Sequence, residues 1–291
     1  MRLATNSALV HYGALAVAVL GISFSAVFIR LSEAPALTIA SNRMLCAVLL
    51  MLPACALSAR QELGRLSRRD VVSAAFSGLC LAFHFGLWTV SLGYTSVASS
   101  VVFVSTHPIF VALAELALFK KVVRPLAAAG ITLTMAGSVV IGQADFRIGG
   151  EALYGDLLAA GGAVALVGYL IIGQRLRRHV SFLTYSTMVY AACWAVLVAG
   201  ALAMGVSLLD FGPRDLALFL ALALVSTIGG HTVFNWALRH VPASVVAVAF
   251  VGEPAVAALL AWVLLGEPVP PATALGGGLI LIGIYATARG S

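Results

Sequence analysis

The chain has 291 residues, 62% of them hydrophobic and only 10% charged, far below the roughly 25% charged residues of a soluble globular domain. Its mean hydropathy of +1.06 excludes a soluble enzyme or scaffold. The net charge of +6 is carried mainly by connections between apolar runs, so it reports membrane orientation and not nucleic-acid binding.

A spanning helix needs about 20 mostly apolar residues. Ten such runs are predicted, near 9–29, 37–57, 71–91, 97–118, 125–142, 155–173, 182–204, 216–238, 244–265 and 272–287. The connections are short, so no soluble domain is attached. The first run is too long, and too closely followed by a second, to be a cleaved signal peptide. Cys46, Cys55, Cys80 and Cys193 lie within the runs without CxxC spacing and read as small buried residues, not disulfides or metal ligands.

Basic residues favour alternate connections, as in cytoplasmic loops. Arg60, Arg65, Arg68 and Arg69 fill the 58–70 loop, followed by Lys120, Lys121 and Arg124, then Arg175, Arg177 and Arg178. With Arg2, Arg239 and Arg289, thirteen of the seventeen basic residues share one side if both termini are cytoplasmic. The opposite loops are mostly acidic, with Glu33, Asp145, Glu151, Asp156, Asp210, Asp215 and Glu267 beside Arg30, Arg147 and Arg214.

Polar residues inside apolar runs mark the candidate site, because a charge in the bilayer faces the protein interior or an aqueous cavity. In the first run, Ser23, Phe24 and Ser25 are small or aromatic candidates. In the second, Arg43 either attracts an anionic group or snorkels outward. The third run places Ser77, Leu81, His84 and Trp88 on one face. His84 and Trp88 suit an amphipathic or aromatic substrate, although Trp88 alone also reads as an interface anchor. His107 precedes Pro108 in the fourth run and reads equally as a ligand donor or a helix-packing residue. Glu115 lies within reach of Lys120 and reads as half of a structural pair. The sixth run offers Gly161, Gly162, Gly168 and Tyr169. The eighth aligns Thr227, His231 and Asn235 on a face, with Trp236 as a belt residue. Glu253 precedes Pro254 near mid-depth of the ninth run. It could receive a substrate ammonium or a proton, or else order the helix break.

The chain is written twice. Leu92–Val123 and Leu238–Val269 share a template at an offset of 146, anchored by His107-Pro108 and Glu253-Pro254. Gly130 and Gly137 fall on Gly276 and Gly283 and read as seams of helix packing, the usual use of such glycines, with a dimer interface the alternative. Thr38 falls on Thr184, and Tyr12-Gly13 aligns with Tyr154-Gly155 at an offset of 142. The repeats are therefore placed at 1–145 and 146–291. Five helices per half is an odd number, so the second half enters the membrane inverted, about an axis in the membrane plane.

These residues resemble the drug/metabolite transporter superfamily, specifically its EamA-type members with ten helices in two five-helix repeats. The likeness rests on Pro108–Leu118 and Pro254–Glu267, on the glycines that follow each, and on Arg43 early in the second helix. Lys121 departs from the acidic residue that Glu267 keeps in the second copy. The resemblance implies an all-α integral membrane carrier of the bacterial inner membrane, exporting small metabolites by alternating access. SLGY at Ser91–Tyr94 and a bulky residue before Pro108 are most similar to its aromatic amino-acid exporters. Other members carry other amino acids, nucleosides, nucleotide sugars or drugs.

The expected substrate site is Ser23, Arg43, His84, Trp88, His107, Tyr169, His231, Asn235 and Glu253, between two five-helix bundles that hinge at Pro108 and Pro254. The expected partners are an amino acid or similar small molecule and the lipid bilayer, with no nucleic acid and a monomer sufficient for transport. No catalytic residue, metal or cofactor is expected. HExxH and GxSxG are absent, and His84, His107 and His231 stand on separate helices without ligand spacing. A passive channel is the rival reading.

Overall fold

A computed structural model describes residues 2–95, 97–120, 122–142, 150–265 and 271–291. Among them every regular element is helical, as an apolar solvent demands: each backbone polar group must find its partner within the segment. Eight spans are long and apolar enough to cross a membrane, and Pro125–Ile141 and Ala243–Val256 are shorter apolar helices. Lys121, Asp145, Arg147 and Glu267, and the boundary between the repeats, lie outside the described residues.

The first three crossings are α1 (Arg2–Leu31), α2 (Ala36–Ser58) and, after the short α3 (Arg60–Leu63), α4 (Arg68–Ser91). The fourth is broken into α5 (Val97–Val104) and α6 (His107–Phe119), and α7 (Pro125–Gly142) is the fifth. The sixth and seventh are α8 (Gly150–Leu176) and α9 (Phe182–Ala203). The eighth passes from α10 (Pro213–Ala221) through an eleven-residue π-helix, Leu222–Thr232, into α11 (Val233–Ala237). The ninth is broken into α12 (Ala243–Phe250) and α13 (Glu253–Leu265), and α14 (Pro271–Gly290) is the tenth.

The two breaks are equivalent. Ser105 and Thr106 separate α5 from α6, and Val251 and Gly252 separate α12 from α13, at the same offset of 146. Pro108 and Pro254 are the second residues of the helices that follow. There the missing N–H has no intrahelical partner to lose, so each proline starts a helix and does not kink a continuous one.

The two separate five-helix bundles expected from the sequence are not formed; the halves interleave. Helix α1 packs on the π-helix and α13, α4 on α8 and α9, α2 on α9, and α7 on α14. Two equivalent groups result: the third, fourth and sixth crossings, and the eighth, ninth and first. The α7–α14 seam carries the paired glycines. A Cβ at Gly137 would lie 2.6 Å from the Gly276 carbonyl oxygen, and one at Gly276 would lie 2.5 Å from that of Gly137. The repeated glycines thus serve packing within the chain, and the face they occupy is already covered.

Candidate functional site

A small cavity lies where the two groups meet. It has a volume of about 30 Å³, enough for a water molecule and far below the ~300–1,000 Å³ of a small-molecule pocket. Six of the expected residues line it: Arg43, His84, Trp88, His107, His231 and Glu253. Seven crossings contribute to the lining, so only the complete fold builds it.

Arg43 does not snorkel. It is 3% exposed, its Nε donates to Thr227 Oγ1 at 2.8 Å, and its guanidinium lies 4.4 Å from the centre of the Phe85 ring. Rings continue from there across the cavity. His231 meets Phe85 edge-on at 5.1 Å and Phe250 at 5.4 Å, and His107 meets Phe250 edge-on at 5.9 Å. Trp88 is 5% exposed and faces inward, which sets aside its reading as an interface anchor. Arg43 Nη2, Trp88 Nε1 and His231 Nδ1 are buried without a hydrogen-bond partner in the protein. Glu253 faces the same space, and no ion pair joins it to Arg43 among the described residues. Buried polar groups are rarely left unpaired. Unpaired donors opposite a carboxylate therefore point to a ligand with its own acceptors and a cationic or donor group.

Two of the histidines are held by backbone. His84 Nδ1 is 3.0 Å from the Gly162 carbonyl, tying α4 to α8. His107 Nδ1 is 2.8 Å from the Val104 carbonyl, and its Nε2 is 2.9 Å from that of Ala247, so the ring bridges the fourth-crossing break and α12. A neutral imidazole has one donor and serves one of those two carbonyls at a time. The histidines do meet around the cavity, yet they make no three-ligand metal cluster among the described residues.

Three expected residues lie outside the lining. Ser23 Oγ donates to Val19 O at 2.7 Å and reaches Glu253 O at 3.4 Å, while Ser25 takes the place at the cavity. Tyr169 OH donates to Asn235 Oδ1 at 2.7 Å, and Asn235 Nδ2 donates to Ser186 Oγ at 2.9 Å. Asn235 lies in α11, past the end of the π-helix that holds His231, and its amide is taken up by Tyr169 and Ser186. Within the π-helix Thr232 Oγ1 donates to Thr227 O, five residues back. Phe85, Phe250 and Ser105 line the cavity but were not expected. Phe85 was open to detection, eight residues after Ser77 on the third-helix stripe. Phe250 falls on Val104 in the repeat, and both line the cavity.

Both faces above and below are tied shut by equivalent contacts. On the face that carries the termini, Asp70 Oδ1 accepts from His179 Nε2 at 2.9 Å. On the opposite face, Asp215 Oδ1 accepts from Ser32 Oγ at 2.6 Å and from Glu33 N at 3.1 Å. A second pair lies beside them. Glu62 accepts from Ser181 N and Thr184 Oγ1 at the start of α9, and Thr38 and Asn42 at the start of α2 donate to the Ser207 and Leu208 carbonyls. Asp156 adds a tie on the opposite face, accepting from Thr95 and Ser99.

The sequence model of the EamA-like transporter family matches residues 9–143 and again 153–289. An uncharacterized transporter of Archaeoglobus fulgidus is 27% identical over 217 residues, 73% of this chain and 73% of its own. The uncharacterized transporter YwfM of Bacillus subtilis is 25% identical over 211 residues, 72% of this chain and 70% of its own. A solved crystal structure has the same fold, with a TM-score of 0.77 at 18% identity over 98% of each chain.

Proposed function

Because this chain belongs to the EamA-like transporter family, we propose that it exports a small zwitterionic metabolite, an aromatic or neutral amino acid, by alternating access. One observation carries the reading. Arg43 Nη2 and Trp88 Nε1, both without partners in the protein, share a small cavity with the Glu253 carboxylate. A carboxylate would take the arginine and indole donors, an ammonium would take Glu253, and Phe85 and Phe250 would flank an aromatic side chain.

The cavity is too small for such a substrate while both faces are tied. The group of third, fourth and sixth crossings must therefore part from its equivalent at one face, then at the other. The breaks before His107 and Glu253, where the helical ladder is already interrupted, are the places where a crossing can flex at least cost. In this reading the termini are cytoplasmic, a monomer suffices and the bilayer is the inner membrane.

Counterflow tests the proposal. Proteoliposomes loaded with unlabelled phenylalanine, methionine or threonine should accumulate the labelled amino acid from outside, saturably and only with a matching internal pool. A flux that neither saturates nor needs an internal pool would establish a passive channel instead. No flux from folded protein would move the substrate to another class.

A further inference from the structure

We propose that the face carrying the termini holds a binding site for one anionic phospholipid, in a groove between the third, fourth and sixth crossings. The groove has a volume of about 1020 Å³ and joins the start of α4, the end of α6 and the end of α8. Arg68 and Arg69 enter it from α4, and Arg175 enters from α8. No hydrogen bond or ion pair engages these three guanidiniums among the described residues. Asp70 and His179 line the same groove and are paired with each other, so three guanidiniums face a single carboxylate.

Below the arginines the wall turns apolar. Val72, Leu118, Phe119 and Ile172 continue it along the membrane-spanning part, with Val72 58% and Phe119 40% exposed. Three forked donors at the rim and an apolar wall beneath them match a phosphate-bearing headgroup joined to acyl chains. A free phosphate has no use for that wall.

The duplicated fold allows an internal comparison. In the second copy, Gly212 stands where Ser67 caps α4, so Pro213 and Arg214 occupy the places of Arg68 and Arg69. At the same offset of 145, Arg30 matches Arg175. The second copy therefore keeps two of the three basic positions and lacks the first, so the full triad belongs to the groove on the face of the termini. General orientation of the chain requires basic residues on that face but no particular arrangement.

The site rests on the cytoplasmic orientation proposed above, since that places it in the leaflet attracting basic residues. Its test does not depend on orientation or on transport. Full-length protein in detergent is titrated with phosphatidylglycerol, phosphatidylcholine or inorganic phosphate, and bound lipid is counted by native mass spectrometry. Phosphatidylglycerol should bind as a single molecule. R68Q/R69Q/R175Q should lose on the order of a hundredfold in affinity, about fivefold for each arginine. R60Q/R65Q/R178Q, which removes equal charge from the same face outside the groove, should bind as the unsubstituted protein does.

Equal losses in both triple variants would overturn the site in favour of nonspecific attraction. Equal binding of phosphatidylcholine, or displacement of the lipid by millimolar phosphate, would overturn it too. Should the groove triple variant fail to fold, the single variant Arg175→Gln decides by the same count.

Discussion

Asp70 and Asp215 occupy the same position in the two halves and close opposite faces of the molecule. Each is the third residue of its helix and accepts the backbone N–H of the residue that caps it, Ser67 or Gly212. Each also reaches the loop between the first two crossings of the other half, through His179 in one case and through Ser32 and Glu33 in the other. The inversion of the repeat puts these contacts on opposite sides of the cavity, which is the arrangement a two-sided gate needs.

Releasing one contact should therefore bias the protein toward one opening. In a background lacking the four native cysteines, a cysteine at Ser105 should label several-fold faster from the opposite face in Asp215→Asn. In Asp70→Asn the increase should come from the face of the termini. Faster labelling from the same side in both variants would show that these carboxylates are not gates.

The charged pair of the cavity makes a sharper prediction. Glu253→Gln and Arg43→Gln should each lower amino-acid counterflow at least tenfold while the protein remains folded. Arg43→Lys should not restore it, since an ammonium cannot both stack on Phe85 and present the planar fork that reaches Thr227. Wild-type exchange in Glu253→Gln would remove the carboxylate from substrate binding.

Glu62 sets a pH dependence outside the membrane. Burial raises its carboxyl, but hydrogen bonds from Ser181 and Thr184 and the charge of Arg177 outweigh this and hold it below the usual carboxylate range. A group depressed in the folded state stabilises fully above its unfolded value, and that contribution is lost as pH falls through the folded value. Glu62→Gln should thus lower stability by roughly 0.5–1 kcal/mol at neutral pH, the scale of a helix N-terminal contact. Thermal unfolding should show the two proteins converging below about pH 4.

The glycine seam predicts a loss of stability without a change of assembly. Gly137→Ala or Gly276→Ala sets a methyl within 2.6 Å of a backbone carbonyl on the facing helix, and separating the helices costs about 1–3 kcal/mol. A lower melting temperature with an unchanged oligomeric state is expected. A change of oligomeric state would instead place a contact between copies at this seam.

The crossings, the duplication and the equivalence of the two breaks were legible because they depend on composition and spacing. His107 and Glu253 stand out as polar residues before proline in apolar runs, and both line the cavity. The position of Asn235 was not legible: its amide is taken up by Tyr169 and Ser186, on two other crossings, and helical spacing does not announce such partners. Nor was the pairing of halves. Apolar residues cover these helices on all sides, so the sequence does not say which side meets protein and which meets lipid. The inward turn of Trp88 is of this kind, because an indole near a helix end serves equally as an anchor or as a wall.

Interleaving has a consequence for how the chain is made. The first half has few contacts among its own distant helices and finds most of its partners in residues synthesised later. Helix α1 waits for the eighth and ninth crossings, and α7 waits for α14. The first five helices must therefore stay loosely associated in the bilayer until the later crossings have been made. Maturation is then a late, concerted event, and a chain truncated before α14 leaves α7 exposing a row of glycines to lipid.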